Sequence, residues 1–524
     1  MGVGEARCMG NSDVVRTIDI ALRSRITLII LITVEEERAL RSVKEVCTGT
    51  TPPRQCITWD IADGFTTLTG TAPSLPQKKD PLTALDDLGK TEDNAVIVLR
   101  DFHEFWNNPG VKRKLRNCAQ AFRFSRRSIL ITTSSKKVPD EIRDDAVILQ
   151  FPLPSVAELT RELDSLTQSS GIPVSLTPLG KEKLIQGALG MTLNQARRSF
   201  SKAIVTRGCL DERDIDAVIA DKKDILSSSE ALEFYGSTES PENVGGLAVL
   251  KDWLRLRERA FTGEARKYGL PAPKGIALIG IPGTGKSLTA RMIAGIWKLP
   301  LIRLDSGALF GSLVGESEER TRRALHLAET VAPCILWVDE IEKAFAFGNG
   351  DSGTSQRVFA HLLTWMQDKT APCFVVATAN DISALPPELL RKGRFDEIFF
   401  LDLPDFRERK EILAVHLRKR KCLPAEFDLD QLSRASEGFV GAEIEQTLID
   451  AMYVSFNDDL RPVTTADIHE AMKREVPLSR SQREKVEALR TWLREGRAVS
   501  ASGITSTQAT PPEGIRLDPL DSRN

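Results

Sequence analysis

Apolar residues in this chain fall into short continuous runs, separated by stretches in which they recur every three or four positions. The runs "ITLIILIT" (26–33), "AVIVLRDF" (95–102), "SILITTS" (128–134) and "AVILQF" (146–151) have the length and β-branched content of strands. Between them, "VEEERALRSVKEVC" (34–47) and "VKRKLRNCAQAFRFS" (111–125) carry helical spacing. This alternation predicts a βαβ-built, mostly parallel sheet within a first unit at 13–226, whose last part, from Ser155 to Lys222, is helical. Residues 227–242 lack periodic hydrophobics and read as a linker. The same order of strands and helices returns over 243–404, and a helical segment follows over 405–476. The remainder, 477–524, reads as one charged helix and a disordered tail rich in Ser, Thr, Pro and Gly.

The two halves share more than their order. "AVIVLRDFHEFW" (95–106) matches "CILWVDEIEKAF" (334–345) in length and pattern, and "SILITTSSKKVPDEIRDDAVILQFPLP" (128–154) matches "CFVVATANDISALPPELLRKGRFDEIFFLDLP" (373–404). A third match, "GALGMTLNQARRSFSKAI" (187–204) with "SEGFVGAEIEQTLIDAM" (436–452), comes in the same order and points to an internal duplication.

Composition narrows the setting. With 41% apolar residues, 27% charged residues and a formal net charge of −2, the chain is ordinary for a globular protein. Nothing in that balance favours bulk attraction to nucleic acid or membrane. The 8 cysteines form no C-x-x-C and imply a reducing compartment. The most apolar run, 26–32, is far shorter than the ~20 residues of a membrane span. Gly2 is followed by Ala6 where a myristoylation signal requires Ser or Thr, and no secretory signal is present. A soluble, intracellular protein is expected.

The chemistry is concentrated in the second half. "GIPGTGKS" (280–287) fits the G-x-x-x-x-G-K-S/T phosphate loop, between the strand-like "GIALI" and the helix-like "SLTARMIAGIW". Gly280, Gly283 and Gly285, with Ile281, Pro282 and Thr284 between them, form the expected phosphate-binding loop, whose glycines let successive backbone N–H groups turn inward around the phosphates. Lys286 is expected on the β- and γ-phosphates of ATP, and Ser287 on Mg²⁺. "ILWVDE" (335–340) adds Asp339 for the metal shell and Glu340 to polarise an attacking water.

Residues 243–476 resemble an AAA+ ATPase of the cell-division-protease and katanin type. The likeness is carried by "NVGGL" (243–247), the phosphate loop, "LVGESEERTRRA" (313–324), "GDSGTSQRVFAHLLTWM" (350–366), "VVATAND" (375–381), "LLRKGRFD" (389–396) and "GFVGAEI" (438–444). The resemblance implies a P-loop NTPase fold: a three-layer α/β/α parallel sheet with a helical lid at 405–476. It also implies that Asn380 is the sensor of the γ-phosphate and that Arg391 and Arg394 are fingers reaching a neighbouring subunit's nucleotide. Gly245, His416, Gly441 and Ala442 would cradle the adenosine. The whole chain is similar to a narrower AAA family, first noted as a hypothetical reading frame of red-algal plastid and cyanobacterial genomes. Its members place a degenerate AAA-like α/β domain in front of a complete one, and the genomes that carry them imply the plastid stroma or a prokaryotic cytoplasm.

One departure concerns the pore. Leu313, beside Val314, stands where translocating members often carry an aromatic, so threading of a polypeptide is less strongly implied than hydrolysis. The front half departs further, for after "ITLIILIT" it has "VEEERALRSV", without a glycine or a phosphate-facing lysine. Laid on the rear strand, Arg100 replaces the metal-binding acid and Asp101 falls on Glu340. The expected function is ATP hydrolysis by a homo-oligomeric, hexameric ring that remodels an unidentified protein, with the front half as a recognition or assembly module. The alternative is a nucleotide-gated scaffold with slow turnover. A nucleic-acid motor is disfavoured by the balanced charge and by the lack of a basic stripe interleaved with aromatics.

Overall fold

The computed structural model describes residues 11–70, 75, 79–135, 137–223, 231–235, 239–305, 316–343, 352–383, 385–386, 388–389, 393–495 and 498–503. Arg391, Leu313, Val314 and the tail beyond 503 lie outside the described residues. The chain divides into two compact units, Met1–Ser175 with Ala188–Leu210, and Leu176–Gly187 with Asp211–Asn524.

In the front unit the strands are β1 (Leu28–Ile32), β2 (Cys56–Asp60), β3 (Gly64–Thr69), β4 (Val96–Arg100), β5 (Ser128–Thr133) and β6 (Val147–Gln150). They form one sheet in the order β3-β2-β4-β5-β1-β6, parallel except where β3 runs antiparallel to β2. The expected period of two is visible in β1. Leu28 and Ile30 join the core beneath helices Pro81–Asp87 and Pro109–Ala121, while Ile29 and Leu31 join that beneath Asn11–Arg23 and Glu36–Gly49. A parallel strand covered on both faces needs apolar residues at every position, hence its unbroken run.

The rear unit builds β7 (Leu232–Tyr235), β8 (Gly275–Gly280), β9 (Leu301–Leu304), β10 (Cys334–Val338), β11 (Cys373–Ala379), β12 (Glu397–Leu401) and β13 (Val499–Ser500). Their order is β13-β12-β8-β11-β10-β9-β7, with β7 antiparallel to β9. Stripped of edge strands, the two sheets have one topology, since β2-β4-β5-β1-β6 corresponds to β9-β10-β11-β8-β12. Ile276 and Leu278 pack on helices Ala248–Arg257 and Lys286–Trp297, and Ala277 and Ile279 face the opposite core. Helices Phe406–Lys419, Leu429–Ala435, Gly441–Asn457 and Thr465–Arg474 gather around their own core of Leu413, Leu417, Ile444, Leu448 and Ile468, forming the helical lid.

Three boundaries differ from those read in the sequence. Residues 176–187 and 211–223 belong to the rear unit rather than to a front domain ending at 226. Lys222, fully buried, donates from Nζ to the Val331 carbonyl at 3.1 Å and the Gln186 carbonyl at 3.5 Å, and Lys183 pairs with Glu258 at 2.7 Å. Such contacts join positions tens of residues apart and leave no mark in local periodicity. The stretch 227–242 contributes β7, and the C-terminal stretch adds β13 beside β12, so both cover sheet edges.

Candidate functional site

The loop that follows β8 turns on two glycines with left-handed backbone, Gly283 (φ 80°) and Gly285 (φ 91°). A Cβ on Gly283 would also sit 2.8 Å from a Val440 methyl, because the start of the lid helix Gly441–Asn457 lies against the loop. Ala442 N–H donates to the Gly283 carbonyl at 3.1 Å. The helix Lys286–Trp297 begins at once, with no side chain capping its first N–H groups. Uncapped donors at a helix start, preceded by a glycine turn, suit a polyphosphate.

Lys286 is 7% exposed and donates from Nζ to the carbonyls of Gly280 at 2.9 Å and Ile281 at 2.8 Å. Burial pushes its pKa down to about 8, partly opposed by the charges of Glu342, Asp339 and Glu340. The Thr284 hydroxyl closes the turn by donating to the Ile281 carbonyl at 2.8 Å.

Two acids face the loop from the end of β10. The Ser287 hydroxyl lies 3.4 Å from Asp339 Oδ1, and the Thr378 hydroxyl donates to that same oxygen at 2.6 Å. Thr378 also accepts the Glu340 N–H at 3.0 Å, so one buried hydroxyl fixes the carboxylate of one acid and the backbone of the next. Glu340 itself has φ 48°, which is uncommon for a residue with a Cβ. Its Oε1 accepts from Asn380 Nδ2 at 3.3 Å and its Oε2 meets Lys343 Nζ at 2.5 Å. The Asn380 N–H is held by Glu342 at 2.9 Å. Glu342's own pKa is raised by burial.

A cleft of about 680 Å³ opens between loop, acids and lid. Gly245, Pro282, Gly283, Thr284, Gly285, Lys286, Ser287, Asp339, Glu340, Asn380, His416, Gly441 and Ala442 all line it. Gly245 is pressed against the helix Phe406–Lys419, where a Cβ would meet the Ile412 N–H nitrogen at 2.8 Å. His416 Nδ1 is 3.4 Å from Glu445, and burial lowers its pKa, so a neutral ring faces the cleft. Gly280 and Ile281 lie beneath the loop and meet the site through their carbonyls. Arg394 is not among the lining residues, and its guanidinium donates to the Glu388 carbonyl.

Several lining residues escaped the sequence reading. Thr378 stood inside the quoted "VVATAND", and a hydroxyl ending the strand beside the acid-bearing one was the available signal. Glu239, Arg291, Lys419 and Glu445 also line the cleft, and no local pattern sets them apart.

Among known proteins, the model described as "ATPase family associated with various cellular activities (AAA)" matches residues 276–403, and that of the AAA+ lid domain matches 426–470. The N-terminal and second domains of SpoVK-like AAA ATPases match 14–151 and 157–229. The AAA domain-containing protein ycf46 of Trieres chinensis is 42% identical over 486 residues, covering 92% of this chain and 97% of that protein. Its counterpart in Guillardia theta is 42% identical over 493 residues, 93% of this chain and 96% of that protein. The proteasome-activating nucleotidase of Aeropyrum pernix is 36% identical over 216 residues, 40% of this chain and 52% of that protein. With a front domain of the SpoVK type, a complete loop-and-acid site behind it and full-length likeness to these relatives, the chain belongs to the ycf46 family of AAA domain-containing proteins.

Proposed function

We propose that this chain hydrolyses ATP in the rear-unit cleft and, as a homo-oligomeric ring, uses that reaction to remodel a protein partner. The observation that carries the reading is the Thr378 hydroxyl, which holds Asp339 and Glu340 in fixed register across the cleft from the loop. The loop N–H groups and Lys286 receive the phosphates, and a bound phosphate charge restores the full protonation of Lys286 that burial opposes. Ser287 Oγ and Asp339 Oδ1 form an oxygen pair of the kind Mg²⁺ takes, so these two residues would hold the ion. Held by these residues, the ion would supply neutralisation of the charge on the phosphates. Glu340 orients and polarises the attacking water, and Asn380, already on its Oε1, aligns it with the γ-phosphate. Neutral His416 with Gly245, Gly441 and Ala442 encloses the adenosine end.

Arg391 and Arg394 act on a neighbouring subunit's nucleotide. The position of Arg394 outside its own cleft lining supports that reading. We place the reaction in the plastid stroma or a prokaryotic cytoplasm. Among the described residues no helix is long and apolar enough to cross a membrane. A nucleotide-gated scaffold with slow turnover draws support from Glu340, whose two oxygens are both engaged by Asn380 and Lys343. Glu340→Gln separates binding from chemistry: ATP affinity should stay within a few-fold while turnover falls by about 10²–10⁴. Unchanged hydrolysis in that variant removes Glu340 from this role. Wild-type turnover that no added protein stimulates favours the scaffold.

A further inference from the structure

The front unit carries a second concave site, at the N-terminal ends of its parallel strands. Four neighbouring strands lie in the order β2-β4-β5-β1, and just before each comes a side chain that carries N–H donors. They are Arg54 before β2, Asn94 before β4, Arg126 before β5 and Arg25 before β1. Parallel pairing sets adjacent strands about 4.8 Å apart, so the sheet gathers these residues into one row. Together with Arg23 and Thr50 they line a cleft of about 380 Å³.

Charge is not balanced within it. Arg23 pairs with Asp19 at 2.9 Å, and Arg54 is spent on backbone, donating to the carbonyls of Arg126 and Leu22 at 2.9 Å each. Among the described residues, Arg25 and Arg126 make no side-chain hydrogen bond or ion pair, and the charge of Arg126 acts against that of Arg54. The helix ends nearby do not explain them. The last turn of Asn11–Arg23 gives its carbonyls to the N–H groups of Ser24, Arg25 and Ile26 and to Arg54, and the Cys47 carbonyl of the next helix takes Arg54 N–H and the Thr50 hydroxyl. Arg25 moreover sits at φ 56°, the left-handed position after a helix that glycine fills with least strain.

Guanidinium forks at the spacing of adjacent strands match the oxygens of linked phosphoryl groups, which they bind in bidentate fashion. A cleft of this size holds a small ligand rather than a macromolecular surface. We propose that this row binds a compact phosphoryl anion, either free pyrophosphate or the diphosphate of a nucleotide, with Arg25 and Arg126 as its principal ligands.

The test uses the full chain carrying Lys286→Ala, so that the rear phosphate loop does not contribute and the two readings fail separately. Pyrophosphate and ADP are titrated calorimetrically in separate experiments. Saturable binding is expected, weakened about ten-fold or more by Arg126→Glu and again by Arg25→Glu, as for loss of a charge-assisted hydrogen bond. Tighter binding of ADP identifies the nucleotide as the source of the diphosphate, and tighter binding of pyrophosphate identifies the free anion. Both arginines are exposed, and unchanged thermal unfolding of the variants establishes that their folds are intact. The proposal is overturned by absence of saturable binding at millimolar ligand, or by affinities that neither substitution alters. It is also overturned by a single-stranded oligonucleotide that binds these arginines more tightly than either small anion.

Discussion

The ends of β4 and β10 show one backbone carrying opposite chemistry. Both strands finish in a charged pair, and both place the second residue in the same left-handed conformation, φ 48° at Asp101 and φ 48° at Glu340. Arg100 pairs in register with Thr132 on β5, as Asp339 lies beside Thr378 on β11. In the rear unit the threonine hydroxyl serves Asp339 and Glu340. In the front unit it donates at 2.6 Å to Glu36, the first residue of its helix, which also binds Arg100 at 2.6 Å. Asp60 takes the remaining side of that guanidinium at 3.1 Å. A cation stands in the place of Asp339, and a carboxylate stands at the helix start where the rear unit has its glycine loop. The turn is the same in both units although the side chains around it differ.

The sharpest way to break this contrast is to count sites. At ATP concentrations that saturate only the rear site, equilibrium binding should give one ATP per chain, and Lys286→Ala should reduce it to none, because the helix after β1 presents Glu36 where the rear unit has its glycine loop. Two equivalents in the wild type, or one remaining in the variant at ATP concentrations that saturate only the rear site, would erase the difference between the units. Next in size is the contribution of a neighbouring chain. Arg394→Ala should lower turnover with ATP affinity held within a few-fold, since an arginine acting across an interface is worth about 10³–10⁵ in rate. Turnover per chain should also rise with protein concentration, and a concentration-independent rate insensitive to this substitution would argue for a self-contained site.

A smaller effect compares the two threonines directly. Thr378→Val removes a hydrogen bond to a charged oxygen and should slow hydrolysis about 10–100-fold. Thr132→Val, at the matching register position, should leave the rate unchanged. Equal effects would show that the hydroxyl acts through general packing rather than on the acids.

The smallest effect concerns acid–base linkage in the rear unit. Lys222 is fully buried, and desolvation lowers its pKa to about 7. The unfolded chain, with lysine near ~10.4, then binds more protons than the folded one between about pH 7 and pH 10, so stability contributed through this group rises with pH across that window. Between pH 7 and pH 9, wild type should gain on the order of 2 kcal/mol relative to Lys222→Met, read from denaturant midpoints. Parallel pH profiles for the two proteins would mean that Lys222 is not titrating in the folded state.

Local patterns carried much of this molecule. The unbroken apolar runs specify parallel strands, because a strand covered on both faces tolerates no polar alternation. The loop from Gly280 to Ser287 and the pair Asp339-Glu340 were legible as chemistry, because backbone turns and strand ends are written over a few consecutive residues. Even the failure of the front loop could be read, from three successive glutamates at 35–37. Tertiary structure alone decided what depends on residues far apart in sequence. It made Thr378 the common partner of two acids, drew residues 176–187 into the rear unit through buried Lys222, and lined up Arg25, Arg54 and Arg126 at the N-terminal ends of neighbouring strands. Each of those residues is unremarkable among its sequence neighbours. Their roles arise because parallel strands bring distant segments within about 5 Å, a proximity that no local periodicity encodes.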